Sequence, residues 1–115
     1  MISPVTAHPG SHRAGHVDTG NRIFSALYYL REEEDDSAGG GLELFRYRSS
    51  VPEDLAVEEL PAESIEVVKT IPFKGNTLVV FPNSPWAVHG AERRPLTPYE
   101  RAYVFITAEY EHDLF

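Results

Sequence analysis

The amino-acid sequence predicts an all-β fold, a double-stranded β-helix (jelly roll) of about eight short strands in a single domain, residues 1–115. Apolar residues fall in short runs that are rich in β-branched and aromatic types, and turn-forming residues separate these runs. The runs at 22–30 and 78–81 are apolar on both faces of an extended strand. Short strands with two-sided burial are typical of a double-sheet barrel.

We expect the strands at eight places along the chain: about 2–7, 13–18, 22–30, 42–48, 64–71, 76–82, 86–90 and 100–110. Turn-forming residues lie between them, at Pro9-Gly10, Thr19-Gly20-Asn21, Gly39-Gly40-Gly41, Lys74-Gly75-Asn76, Asn83-Ser84-Pro85 and 95–98. The first of two facing sheets should hold 22–30, 76–82 and 100–110, and the second 13–18, 42–48 and 86–90.

Two stretches are too polar for a core. The run of acids at 32–36 predicts an exposed hairpin tip, because repulsion among its carboxylates opposes burial. The stretch 52–64 is rich in glutamate and contains Pro61, so we expect a loop with one helical turn at about 53–60.

The composition of the chain argues against several classes of binding partner and binding site. The net charge of −8 argues against nucleic acid, which usually attracts clustered positive charge. The absence of cysteine excludes disulfides and thiolate metal sites. The sequence has no apolar run near the ~20 residues that span a bilayer and no signal segment, so we expect a cytoplasmic protein without a membrane partner.

A metal site is suggested by His16, Asp18 and His89. In an extended segment, residues two apart point to the same side, so the His16 imidazole and the Asp18 carboxylate can converge on one ion. His89 lies near the end of another predicted strand and could supply a third ligand. Two imidazoles and one carboxylate form the facial triad of non-haem Fe(II) enzymes. The alternative for His-x-Asp alone is a surface hydrogen bond.

Five pieces of sequence, in order, resemble the Fe(II)- and 2-oxoglutarate-dependent oxygenase superfamily, in its prolyl-4-hydroxylase-like branch. They are Gly15-His16-Val17-Asp18 with the following strand 22–30, the glycine-rich segment 39–45, the strand 76–82, His89-Gly90, and Arg101. The resemblance covers about residues 10–110. It implies Fe(II) ligation by the triad, 2-oxoglutarate as co-substrate and O2 as oxidant, and it leaves ascorbate open as an accessory reductant.

The resemblance also implies a co-substrate site. Arg101 matches the basic residue that pairs with the distal carboxylate of 2-oxoglutarate, Tyr29 matches a tyrosine that helps hold it, and Leu42 would pack against it. A planar guanidinium suits this role because it binds a carboxylate through two parallel hydrogen bonds. The alternatives are a surface ion pair of Arg101 with Glu100 or Glu109, and simple core packing by Tyr29.

Other aromatic and basic residues are weaker candidates. Trp86 is expected to pack, with a substrate-facing role as the alternative. Arg22, Arg93 and Arg94 are poorer choices than Arg101 for the co-substrate, because they lie in predicted turns.

The resemblance implies hydroxylation of an unidentified substrate, a peptidyl side chain or a small metabolite, with release of succinate and CO2. The alternatives are a cupin-like metal enzyme that does not use 2-oxoglutarate, and a non-catalytic β-barrel binding module. Relatives usually carry helices ahead of the barrel, and only fifteen residues precede His16. We therefore expect a minimal barrel, a fragment, or a subunit braced by a partner. An unbraced apolar sheet face would favour a homodimer.

Overall fold

The computed structural model describes residues 1–7 and 12–115, so the turn predicted at Pro9-Gly10 lies outside the described residues. It contains eight strands: β1 Ile2–Ala7, β2 Arg13–His16, β3 Arg22–Tyr29, β4 Leu42–Tyr47, β5 Ile65–Ile71, β6 Thr77–Pro82, β7 His89–Ala91 and β8 Arg101–Glu109. A short 3-10 turn, Ala62–Ser64, precedes β5. Among the described residues there is no α-helix, and no helix is long and apolar enough to cross a membrane.

The strands form two antiparallel sheets of four. Sheet 1 has the order β1-β8-β3-β6, and sheet 2 the order β2-β7-β4-β5. Strands that are distant in sequence therefore pair, as when β8 inserts between β1 and β3. The predicted all-β, jelly-roll-like class is confirmed, and so is the assignment of the six named strands to their two sheets.

The inner face of sheet 1 is set by the alternation of side chains along β3 and β8. Ser25, Leu27 and Tyr29 are buried on β3, and they pair across the sheet with Thr107, Phe105 and Tyr103 of β8. Leu27 and Tyr29 form one apolar cluster with Phe73, which follows β5. A second cluster, under sheet 2, consists of Val17, Leu60, Ile65 and Val88.

The outer face of sheet 1 is apolar and half open to solvent. Two rows of paired residues cross all four strands there: Ile2, Ile106, Ala26 and Val80 in one, and Pro4, Val104, Tyr28 and Leu78 in the other. Leu78 is 55 % exposed and Val80 is 57 % exposed. None of these eight residues is charged, so this face is unusual for a protein surface.

Several sequence-based predictions are wrong in detail. The acidic run is exposed except at Asp35, which is buried against Arg94. The helical turn expected at 53–60 does not form, and the 3-10 turn lies later in the chain. The strand expected at 86–90 begins only at His89, because a turn closed by the Ala87 amide on the Ser84 carbonyl precedes it. That turn leaves Trp86 68 % exposed, so it does not pack as predicted.

Candidate metal centre

The register of β2 and β7 brings two histidines together. His16 and His89 are direct partners across this antiparallel pair, and their ring centroids lie 4.4 Å apart. The strands approach closely beside them, because a Cβ at Gly90 would lie 2.5 Å from the carbonyl oxygen of Arg13. Glycine after His89 therefore permits the pairing that places the two imidazoles side by side.

Asp18, two residues after His16, completes the group. Its Oδ1 lies 3.6 Å from His16 Nε2 and 3.5 Å from His89 Nε2. One ligand atom from each of the three residues lies within 4.8 Å of the other two. Bonds of about 2.0–2.2 Å to one divalent ion bring ligand atoms to within about 4.4 Å of each other, a limit that both histidine–aspartate distances meet.

Backbone hydrogen bonds orient both imidazoles. His16 Nδ1 lies 3.1 Å from the carbonyl oxygen of Ala14, and His89 Nδ1 lies 2.9 Å from that of Ala87. A carbonyl oxygen only accepts, so each Nδ1 carries a proton, and each Nε2 faces Asp18. This arrangement is the usual way in which a protein fixes the tautomer of a metal-binding histidine.

The two oxygens of Asp18 have different neighbours. Ser25 donates its hydroxyl hydrogen to Oδ2 at 2.8 Å, while Oδ1 faces the imidazoles and lies 3.2 Å from Arg22 Nη1. Burial raises the pKa of Asp18, but the neighbouring imidazoles of His16 and His89 lower it by more, with a smaller contribution from the Ser25 hydrogen bond. The net pKa lies well below the usual range, so the carboxylate is ionised at neutral pH.

Arg101 begins β8 with its side chain in the interior. Its Nε donates to the carbonyl oxygen of Gly40 at 2.5 Å, and its Nη2 lies 3.5 Å from the hydroxyl of Tyr29. The guanidinium also lies over the rings of Tyr103, at 4.8 Å, and Tyr29, at 5.4 Å. The sequence left open an ion pair with Glu100 or Glu109, but Arg101 contacts neutral oxygens instead.

Tyr29 stays protonated beside this cation. Its side chain is fully buried, and burial raises its pKa more than the neighbouring Arg101 lowers it. Because the Arg101 guanidinium donates to the tyrosine oxygen, the hydroxyl hydrogen remains available for a further acceptor. Leu42, the first residue of β4, is 3 % exposed and lines the same space.

One cavity of about 940 Å³ between the sheets is lined by the candidate metal ligands His16, Asp18 and His89 and by Arg101. Its inner wall is apolar and aromatic, with side chains from β3, β4, β6 and β8: Leu27, Leu42, Phe81, Tyr103 and Phe105. Its mouth includes Arg13, Arg22 and the segment 53–58. A cavity with an apolar wall and a few convergent polar groups is typical of a small-molecule site.

A family model of the 2OG-Fe(II) oxygenase superfamily matches residues 3–106, nearly the whole chain. The chain belongs to this superfamily. A comparison with curated proteins gives no match. Membership in the 2OG-Fe(II) oxygenase superfamily implies Fe(II) as the metal and 2-oxoglutarate as the co-substrate.

The donor set fits this oxygenase chemistry. Two neutral imidazoles and one ionised carboxylate are the ligands of non-haem Fe(II) sites that keep open positions. The structure brings His16, Asp18 and His89 together, and it places Arg101 and Leu42 on the wall of the same cavity. Tyr29 lies behind this wall, with its hydroxyl 3.5 Å from Arg101 Nη2. The roles of these residues in binding stay predictions.

Sequence reasoning missed several residues around this oxygenase site. Ser25 was not singled out, although a hydroxyl on a strand that is apolar on both faces signals a hydrogen-bond partner. Arg22 begins β3, as the predicted strand 22–30 had it, but it was discounted as a turn residue and its contact with Asp18 was missed. Arg94 was also placed in a turn, and its side chain is only 2 % exposed.

Proposed function

We propose that the chain is an Fe(II)- and 2-oxoglutarate-dependent hydroxylase of the prolyl-4-hydroxylase-like branch, acting on a peptidyl side chain or a small metabolite. The observation that carries the proposal is that the His16, Asp18 and His89 cluster and the Arg101 guanidinium line one cavity. A three-ligand metal cluster and a buried cation are the two fixed points that a dicarboxylate co-substrate needs.

In this proposal His16, Asp18 and His89 hold the Fe(II). The bound metal supplies open positions for 2-oxoglutarate and O2, and the oxidation of 2-oxoglutarate to succinate and CO2 accompanies insertion of one oxygen atom into a substrate C–H bond. The Nδ1 hydrogen bonds to Ala14 and Ala87 orient both imidazoles so that their Nε2 atoms face the metal.

Arg101 and Tyr29 orient the co-substrate in this proposal. The Arg101 Nε is already bonded to Gly40, so its terminal nitrogens remain to bind the distal carboxylate. The Tyr29 hydroxyl receives a hydrogen bond from Arg101 and donates its own hydrogen to the same carboxylate. Leu42 packs against the carbon chain, and the apolar wall limits access of water to the metal.

The cupin-like alternative is disfavoured by the match to the oxygenase superfamily over residues 3–106. The other alternative, a non-catalytic barrel, is tested by measuring whether the chain converts 2-oxoglutarate to succinate. The partners of the proposed enzyme are 2-oxoglutarate, O2 and its substrate. Self-association through the apolar outer face of sheet 1 stays a prediction, which rests on the two uncharged rows of that face.

The test is conversion of 2-oxoglutarate to succinate by the purified chain with Fe(II), ascorbate and O2. We expect slow succinate formation even without a substrate, and faster formation with a substrate from a library of peptides and metabolites. Asp18→Ala should reduce succinate to the level without protein, because it removes the only carboxylate of the triad. Succinate formation by Asp18→Ala equal to wild type would contradict the assignment of the metal site.

A further inference from the structure

A buried ion pair lies beside Arg101, and one of its members, Asp35, belongs to the acidic run that was expected to be exposed. The side chain of Asp35 is 1 % exposed and that of Arg94 is 2 % exposed, and Arg94 Nη2 lies 2.5 Å from Asp35 Oδ2. Ser37 joins them: Arg94 donates to its hydroxyl oxygen through Nε at 3.1 Å and Nη2 at 2.6 Å, and the hydroxyl donates to Asp35 Oδ1. We call these three residues the Asp35 cluster.

The Asp35 cluster fixes the path of the chain toward Gly40. The Ser37 amide donates to Asp35 Oδ1 at 3.0 Å, which closes a turn at the start of the segment 35–40. At its end, Gly39 and Gly40 have φ values of 77° and 81°, a left-handed conformation that favours glycine. Arg94 packs on this end, because a Cβ at Gly40 would lie 3.2 Å from the Arg94 Cδ.

The same segment supplies the oxygen that orients Arg101. Gly40 accepts the hydrogen bond from Arg101 Nε at 2.5 Å, so a shift of this carbonyl would turn the guanidinium. Arg94 and Arg101 also share one ring: their guanidinium carbons lie 5.3 Å and 5.8 Å from the centroid of Phe73. The Asp35 cluster and Arg101 are therefore packed as a continuous unit.

The three arginines of this unit differ in whether an acidic side chain contacts them. Arg31, whose guanidinium lies 5.4 Å from the Phe73 centroid, is 3.6 Å from Asp35 Oδ1, and Arg94 pairs with Oδ2. Asp35 is thus an acidic partner of both Arg31 and Arg94, and neither of these arginines lines the cavity. Arg101 contacts neutral oxygens of Gly40 and Tyr29, so its charge remains available to an anion.

We propose that Asp35 and Arg94 are positioning residues for 2-oxoglutarate: they hold the Gly40 carbonyl, which aims the Arg101 guanidinium into the cavity. This inference rests on the proposed role of Arg101. Neither residue lines the cavity, so the proposed effect on the co-substrate is indirect and passes through Arg101. Loss of the Asp35 cluster should weaken binding of 2-oxoglutarate and leave binding of the metal by the triad unchanged.

The test is a double-mutant cycle, with 2-oxoglutarate affinity measured by calorimetry on Fe(II)-loaded protein without oxygen. We expect Asp35→Asn and Arg94→Lys each to weaken 2-oxoglutarate binding about tenfold. This is the lower end of the effect that follows the loss of a hydrogen-bond partner of a metal ligand. Asp36→Asn is the matched control, because it removes the same charge from the exposed neighbouring acid. It should bind as wild type does.

The second arm of the cycle combines each variant with Arg101→Lys. A lysine cannot donate to Gly40 and to the ligand in the geometry of a guanidinium, so Arg101→Lys alone should weaken binding. Adding Asp35→Asn to it should weaken binding no further, because the positioned group is already lost. A variant that only destabilised the fold would not give this dependence on residue 101.

The outcomes separate the two proposals. Wild-type affinity in Asp35→Asn with weak binding in Arg101→Lys would overturn the positioning role and leave the proposed co-substrate site standing. Unchanged affinity in Arg101→Lys would contradict the role of Arg101 itself, and equal losses from Asp35→Asn in both backgrounds would show that Asp35 acts by another route. If Asp35→Asn does not fold, Ser37→Ala, which removes the joining hydroxyl and no charge, carries the same test.

Discussion

The hydroxyl of Ser25 determines which oxygen of Asp18 faces the two imidazoles. It bonds Oδ2 at 2.8 Å from a fully buried position on β3. A carboxylate fixed in this way presents one oxygen to a metal and does not rotate. The geometry of the triad therefore depends on a residue outside it.

We predict that Ser25→Ala lowers the affinity for Fe(II) by about 10–100-fold, the usual effect of removing a hydrogen-bond partner of a metal ligand. Calorimetric titration of Fe(II) without oxygen measures this directly. The matched control is Ser49→Ala, a serine exposed at the end of the β4 strand region. Equal affinity in Ser25→Ala and Ser49→Ala would mean that Asp18 is held by other contacts.

The carboxyl group of Asp35 makes the folding stability of the protein depend on pH. Burial raises its pKa, and the Ser37 hydroxyl and amide together with Arg94 lower the pKa by more, so the folded value lies below the unfolded one. A group with a lowered folded pKa stabilises the protein above its unfolded pKa of about 3.9. This contribution is lost as the pH falls through the lower folded value.

We therefore predict that Asp35→Asn lowers the free energy of unfolding at pH 7 by about 3–5 kcal/mol, because it leaves Arg94 buried without a counter-charge. Below about pH 4 the difference between wild type and variant should shrink, since wild-type Asp35 also loses its charge. Urea unfolding across this pH range measures both effects. A difference that stays constant with pH would show that the carboxylate charge is not the cause.

Strands β2 and β7 carry His16 and His89, the two histidines of the candidate metal site, and the close approach of these strands depends on glycine. A Cβ at Gly90 would meet the Arg13 carbonyl oxygen at 2.5 Å, which is backbone and cannot turn away. Gly90→Ala should separate the strands beside the His16 and His89 pair. We predict a loss of about 1–3 kcal/mol in unfolding free energy, typical of overpacking.

The same variant should bind Fe(II) more weakly than wild type at temperatures where both are folded. Thermal unfolding followed by circular dichroism, with Fe(II) titration well below the transition, separates the two effects. A variant with wild-type stability would mean that the strands adjust without strain, and the close approach would not matter.

Alternation along the strands made most of this fold predictable from the sequence. The short apolar runs gave the strands and their two sheets, and the pair His16 and Asp18 followed from the two-residue period. The buried Asp35 could not be predicted, because its partner Arg94 is 59 residues away and only the tertiary fold joins them. The delayed start of β7 depended on a local turn whose hydrogen bonds compete with strand pairing.

On the scale of the whole molecule, the two sheets differ in the kind of side chain that they expose to solvent. The outer face of sheet 1 carries two uncharged rows across four strands. In sheet 2 charged residues occur on neighbouring strands, as with Arg46 of β4 and Glu66 of β5, which pair at 2.6 Å. The apolar face of sheet 1 lies opposite the cavity wall, so changes there can be made without altering the site.

We predict that the isolated chain self-associates through this face, and that Leu78→Glu with Val80→Glu weakens the association. Both side chains are more than half exposed, so the substitutions should not disturb the core. Sedimentation velocity over a range of concentrations measures the change, and an unchanged Fe(II) titration confirms an intact fold. A wild-type chain that is monomeric at all concentrations would contradict the prediction.

The central claim is that one cavity binds a metal through His16, Asp18 and His89 and a dicarboxylate through Arg101. Two successive titrations without oxygen test it most directly, Fe(II) first and 2-oxoglutarate second, on wild type, Arg101→Ala and Arg101→Lys. The account predicts the same Fe(II) affinity in all three, no measurable 2-oxoglutarate binding in Arg101→Ala, and intermediate binding in Arg101→Lys, which keeps the charge and loses the two-point geometry. Wild-type 2-oxoglutarate affinity in Arg101→Ala would contradict it.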